Sequence, residues 1–92
     1  MALQDIKKRA KEEQFTDELA EAIVSSNCID IFKIALKRHD CPPVLLVDLS
    51  QSPDEAIRAL VASHPNTPAM TIKRMANDRS PAVSRAAKAR LK

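Results

Sequence analysis

Ser52-Pro53-Asp54-Glu55-Ala56-Ile57-Arg58-Ala59-Leu60-Val61-Ala62-Ser63-His64-Pro65-Asn66-Thr67-Pro68 is the stretch whose reading fixes the architecture. It opens with a hydroxyl at the expected N-cap, proline at the first helical position and Glu55 three residues after the cap, a capping-box arrangement. Pro65 disfavours the α conformation at His64, so the helix is predicted to end near Ser63. Between these marks Ile57, Leu60, Val61 and His64 fall at i, i+3, i+4 and i+7, one stripe of a helix. Thr67-Pro68 and Ser80-Pro81 repeat the hydroxyl-then-proline start, and Cys41-Pro42-Pro43 is a weaker version because a thiol caps poorly.

The same punctuation extends in both directions. Thr16-Asp17-Glu18 offers a further cap with acids in the first helical turn. Asn27 and Asn77-Asp78 can take the left-handed helix-end conformation that glycine normally fills. Helices are therefore predicted near 3–13, 17–26, 30–38, 43–50, 53–63, 68–76 and 81–91. The stripe of the central helix recurs as Phe32, Ala35, Leu36, His39 and as Val83, Ala86, Ala87, Arg90, at offsets of 25 and 26 residues. Pro43 leads to Leu45, Leu46 and Leu49, as Pro68 leads to Met70, Ile72 and Met75. Each unit reads as a longer helix, a proline turn and a shorter helix. Such a pair cannot bury its own apolar face, so neighbouring units must stack.

The wording of the middle unit, with Met75-Ala76-Asn77-Asp78 and Ser80-Pro81-Ala82-Val83 after it, resembles the leucine-rich repeat variant (LRV) family. The match is good over about residues 52–84, looser over 29–51 and absent before that. His64 stands where that family usually has Asn before proline, and Asp40-Cys41-Pro42-Pro43 replaces the Pro-Asn-Thr-Pro turn. The resemblance implies a right-handed superhelix, related in shape to HEAT and armadillo repeats, in which some shorter helices are 3₁₀. The expected fold is thus all-α, an LRV/HEAT-like solenoid of about three repeats in a single domain over 1–92. It comprises an N-terminal helical cap at 1–28 and units at 29–51, 52–78 and 79–92, the last partial.

Composition excludes several functions. The 92 residues contain no glycine and six prolines, which removes the glycine loops that cradle phosphate in P-loops and dinucleotide folds. No apolar run approaches the roughly 20 residues of a membrane span, and the start lacks the basic-then-apolar order of a secretory signal. Two cysteines are too few for a disulfide framework, so a cytoplasmic protein with reduced thiols is expected.

Candidate chemistry is sparse. His39 and His64 occupy equivalent stripe positions at helix ends, and Arg90 in the third unit reads as the same amphipathic position. Cys28, His39 and Cys41 offer three metal ligands without the paired spacing of a structural zinc site, so no metal is expected. Cys28 reads as a small hydrophobe and Cys41 as a turn residue. The serines lack an elbow or a nearby base, and the acids Asp17, Glu18, Glu21, Asp54 and Glu55 are explained by helix starts. No enzyme activity and no cofactor are expected.

Charge is unevenly spread. Residues 15–30 carry a local charge of −4 and residues 79–92 a local charge of +5, within a net charge of +3. Lys73, Arg74, Arg79, Arg85, Lys88 and Lys92 form the candidate contact surface, for a partner protein or for phosphate. At the other end, Leu3, Ile6 and Ala10 with Lys7, Lys8, Arg9 and Lys11 form an amphipathic stretch too sparsely apolar for membrane anchoring. It is expected to cover the end of the stack, supported by Lys8–Glu12 and Arg9–Glu13 pairs. The function expected is a non-enzymatic protein–protein interaction module whose partner is another protein, with an Ala-rich last helix suited to a homodimer. The alternative is binding of the nucleic-acid phosphate backbone through the basic C-terminal surface. No membrane partner is expected.

Overall fold

The computed structural model describes residues 2–91, and among these there are seven α-helices and no strand. They are α1 (Leu3–Glu12), α2 (Asp17–Ser26), α3 (Ile29–Leu36), α4 (Pro43–Leu49), α5 (Glu55–Ser63), α6 (Ala69–Met75) and α7 (Pro81–Arg90). The fold is all-α, and its shorter members, α4 and α6, are α-helical rather than 3₁₀. Lys92 lies outside the described residues.

Helix starts follow side-chain chemistry, with two shifts from expectation. Thr16 caps α2, its Oγ1 accepting from the Leu19 N–H at 3.1 Å. Ser80 is the N-cap of α7 and Pro81 its first residue. At α5, however, the cap is Asp54, whose carboxylate accepts from the N–H groups of Ala56 (2.8 Å) and Ile57 (3.2 Å). A carboxylate outcompetes the Ser52 hydroxyl at the positive end of a helix. Ser52 instead accepts from the Asp54 N–H. Thr67 does not cap α6 either: its Oγ1 donates to the Val61 carbonyl at 2.6 Å, and Pro68 takes the N-cap position. Asn27 ends α2 in the left-handed conformation (φ 48°), the only positive φ among the described residues, so Asn77 and Asp78 do not share that role.

The element starts are evenly spaced. N-caps of the odd-numbered helices fall at residues 2, 28, 54 and 80, and those of α2, α4 and α6 at 16, 42 and 68, a constant interval of 26. The buried side chains keep the same interval: Leu19, Leu45 and Thr71; Ala20, Leu46 and Ile72; Ile23, Leu49 and Met75. On the odd-numbered helices they are Ile31, Ile57 and Val83, then Ala35, Val61 and Ala87. The stripe of α3 therefore begins at Ile31, one residue before the expected Phe32, and the offset of 25 is corrected to 26. Phe32 lies on the adjoining face, at the position that Ile6 fills on α1 and Arg58 on α5.

Helices α1, α3, α5 and α7 pack each against the next, while α2 lies against α1, α3 and α4, α4 against α5, and α6 against α7. The molecule measures 38 × 21 × 16 Å. Each odd-numbered helix inside this row buries two faces. The outermost two do not: Asp5 and Arg9 of α1 occupy the places of Ile31 and Ala35, and Ser84 and Lys88 of α7 those of Phe32 and Leu36. Polar side chains appear where no neighbouring helix covers the position, as burial energetics require.

Helix C-termini leave carbonyls without intrahelical partners. Here a residue at or just beyond the C-terminal end of the next odd-numbered helix supplies the donor. Arg38 Nη1 donates to the carbonyls of Ala10 (2.9 Å) and Glu13 at the end of α1. His64 Nε2 lies 2.8 Å from the Arg38 carbonyl, and Arg90 Nη1 donates to the His64 carbonyl at 2.6 Å. The three donors are again 26 residues apart. The histidines are thus not equivalent: His64 is buried within this series, whereas His39 is exposed and Arg38 takes the position equivalent to His64. His64 Nδ1 accepts from the Asn66 N–H at 3.1 Å, so Nε2 carries the proton that meets the Arg38 carbonyl.

Candidate functional site

Two even-numbered helices, α2 and α4, shape a surface groove. In Pro43-Val44-Leu45-Leu46-Val47-Asp48-Leu49, burial of Leu45, Leu46 and Leu49 turns Val44 and Asp48, one turn apart, away from the core. Across from them α2 buries Leu19, Ala20 and Ile23 and leaves Asp17, Glu21, Val24 and Ser25 at the surface. Asp17, Ala20, Glu21, Val24, Ser25, Val44 and Asp48 together line a cavity of ≈ 510 Å³. Val44 is 58% exposed and Val24 36%. Three carboxylates surround this aliphatic pair, and no lining residue carries a positive charge. The arrangement suits a ligand with an aliphatic group flanked by cations.

The five described candidate residues of the basic surface are exposed, but they are distributed over several elements. Lys73 and Arg74 lie on α6, Arg79 in the turn after it, and Arg85 and Lys88 on α7. Lys92 falls outside the described residues. None of the five lies in the α2–α4 groove. Arg85 is 26 residues after Ala59 and so continues a column that begins at Lys7 and Lys33. Two further arginines have structural work. Arg58, buried on α5, donates from Nε to Asp78 Oδ2 at 3.0 Å and from Nη1 to the Ser52 carbonyl at 2.7 Å. Arg90 meets the carbonyls described above.

Burial pushes the Asp78 carboxyl up, but the Ser80 N–H and the Arg58 guanidinium outweigh it and hold the group below its ordinary value. Cys41, fully buried, has its thiol pushed up to about 12 by burial and by the neighbouring Asp40 charge, against a smaller opposing effect of Arg38. Such a thiol is not a nucleophile near neutral pH. Cys28, half-buried at the N-cap of α3, packs against the core as the small hydrophobe expected, and Cys41 lies in the turn before α4, as expected, but is itself a core residue. Among the described residues no group of three or more His, Cys, Asp or Glu side chains is placed to hold a metal ion. Nor is any described helix long and apolar enough to cross a membrane.

No protein-family model, curated protein or solved structure matches the chain. The α2–α4 groove escaped the sequence reading, although its signal was present. Val44 and Asp48 are the residues of α4 that an i, i+3, i+4 pattern leaves outside, and helix-start stabilisation explains the acids of α2 without revealing that they face α4.

Proposed function

We propose that the chain is a non-enzymatic protein-interaction module, a short α–α superhelix of LRV type whose α2–α4 groove receives a basic segment of a partner protein. The constant interval of 26 supports the repeat, and it extends to α1 and α2, so the N-terminal pair counts as a unit in its own right rather than a separate cap. The right-handed sense rests on the family resemblance. The observation that carries the binding role is the pair of exposed valines ringed by Asp17, Glu21 and Asp48 with no cation in the lining. Large exposed aliphatic groups within a concave surface mark contact sites, and the three carboxylates select for Lys or Arg beside the group that covers them.

Selection from a random peptide library on the immobilised protein tests this reading. The sequences recovered should carry Lys or Arg on either side of Leu, Ile or Val, and Glu21→Lys with Asp48→Lys should weaken them at least tenfold in fluorescence anisotropy. Val44→Gln should weaken them as well. Recovered sequences without basic enrichment, or affinities indifferent to these substitutions, would refute the assignment.

A further inference from the structure

The 26-residue interval sets Lys7 of α1 beside Lys33 of α3, and Lys11 beside Lys37. With Asp30 and Ile34 these four line a shallow groove of ≈ 410 Å³. All four are exposed, and none of their ammonium groups makes an ion pair or hydrogen bond with another described residue. Within each helix the lysines are one turn apart, about 6 Å, and packed helix axes lie about 8–10 Å apart. Four like charges so close repel one another, and Asp30 alone offsets them locally. The Lys7–Lys33 column continues through Ala59 on α5 to Arg85 on α7.

We propose that this face of α1, α3 and α7 binds the sugar–phosphate backbone of a nucleic-acid duplex, without reading sequence. The site differs from the C-terminal surface suggested by charge counting, and only Arg85 is common to both. Lysines are point charges that suit phosphate oxygens without demanding a particular orientation. Three helix-to-helix steps separate Lys7 from Arg85 by about 25–30 Å, comparable to one duplex turn of about 34 Å. A single strand would need aromatic platforms, yet the only two aromatics are Phe32, buried, and Phe15, which lies under the Arg38 guanidinium. A membrane would need a cluster of aliphatic groups to insert beside the lysines, and the lysine groove itself offers only Ile34. The exposed Leu3 of α1 and Leu60 of α5 line other cavities, and Val24, Val44 and Met70 are carried by the even-numbered helices. An acidic protein would need an apolar anchor, and the groove offers only Ile34.

Fluorescence anisotropy of a 20-bp duplex of arbitrary sequence, titrated with protein from 50 to 200 mM salt, tests the proposal. Five phosphate contacts give a slope of log K against log salt near −4.5, about a 500-fold loss of affinity over that range. Replacing Lys7, Lys11, Lys33 and Lys37 by Gln should bring the slope to about −0.9, with circular dichroism and thermal melting confirming an intact fold. The corresponding Lys→Arg variant should retain binding, and Lys73→Gln with Arg74→Gln should leave the slope unchanged. Val44→Gln should have no effect, so this proposal and the α2–α4 reading fail separately. The proposal is overturned by any of four results: no retention of duplex by the wild type at 50 mM salt, a slope indifferent to the four Gln substitutions, tighter binding of a single strand of equal length, or equal affinity for polyglutamate or anionic vesicles.

Discussion

Arg38→Ala probes the contact that ties α3 to α1. The Arg38 side chain serves the Ala10 carbonyl (2.9 Å) and the Glu13 carbonyl through Nη1, pairs with Asp40 through Nε and Nη2, and stands 4.3 Å from the centre of the Phe15 ring. Two carbonyls sharing one nitrogen count as a single charge-assisted bond, about 1.5–3 kcal/mol. The ring contact adds about 0.5–1 kcal/mol. Asp40 is 55% exposed, so solvent limits that pair to at most about 1 kcal/mol. Together these give about 2–5 kcal/mol, a large share of the roughly 5–14 kcal/mol available to a domain of this length. A central value of about 3 kcal/mol corresponds to a Tm lower by about 12–24 °C.

Urea denaturation followed by circular dichroism measures the loss, and amide hydrogen exchange locates it. Protection should fall first in α1, whose last carbonyls lose their donor. His39→Ala is the paired control, because its imidazole is exposed and its removal should change stability by no more than about 0.5 kcal/mol. If His39→Ala costs as much as Arg38→Ala, or Arg38→Ala costs under about 1 kcal/mol, the cap series and its 26-residue register are wrong.

Asp78→Asn should destabilise the fold by about 3 kcal/mol at neutral pH, because it leaves Arg58 inside without its charge partner. The folded-state pKa of Asp78 is depressed. Its contribution is therefore complete above the unfolded value of about 3.9 and disappears as pH falls through the lower folded value. The urea midpoints of wild type and variant should converge between pH 6 and pH 2, and a constant gap would contradict the pairing. One thiol should react with a disulfide reagent at pH 8 in the native protein, that of Cys28, and Cys41 only after denaturation; two fast thiols would show that Cys41 is not enclosed. Asn27→Ala should cost about 1 kcal/mol and Asn27→Gly nothing, since alanine tolerates a φ of 48° poorly; equal melting temperatures would remove the strain argument.

The helices were readable because their boundaries depend on neighbouring residues. Thr16, Pro65, Pro81 and Asn27 act within a turn of where they stand, and all four mark the boundaries they were expected to mark. Ser52 and Thr67 misled because each had a second partner that only folding supplies. Ser52 serves the turn before Asp54 and offers its carbonyl to Arg58, and Thr67 reaches back to Val61. The Arg58–Asp78 pair was equally hidden. Its members are 20 residues apart in sequence, and nothing local distinguishes Arg58 from an exposed arginine.

The expected α3 stripe is one residue out of register, and the consequence is geometric. Successive residues on an α-helix are about 100° apart, so a register wrong by one residue moves a side chain onto a different face. An offset of 25 set His39 opposite His64 and left Arg38 unassigned, whereas 26 turns Arg38 to the α1 carbonyls and His39 to solvent. The same single step governs the lysines. Lys7 meets Lys33, and Lys11 meets Lys37, only when the interval of 26 reaches α1, the helix where the repeat wording is absent from the sequence. Charge counted along the chain weighs residues 79–92 heavily because five cations follow one another there. Charge counted across the stack instead gathers four lysines from two helices around one groove. A rigid polyanion encounters the second kind of concentration, which is why the proposed contact is placed on cations aligned by the fold rather than on cations close in sequence.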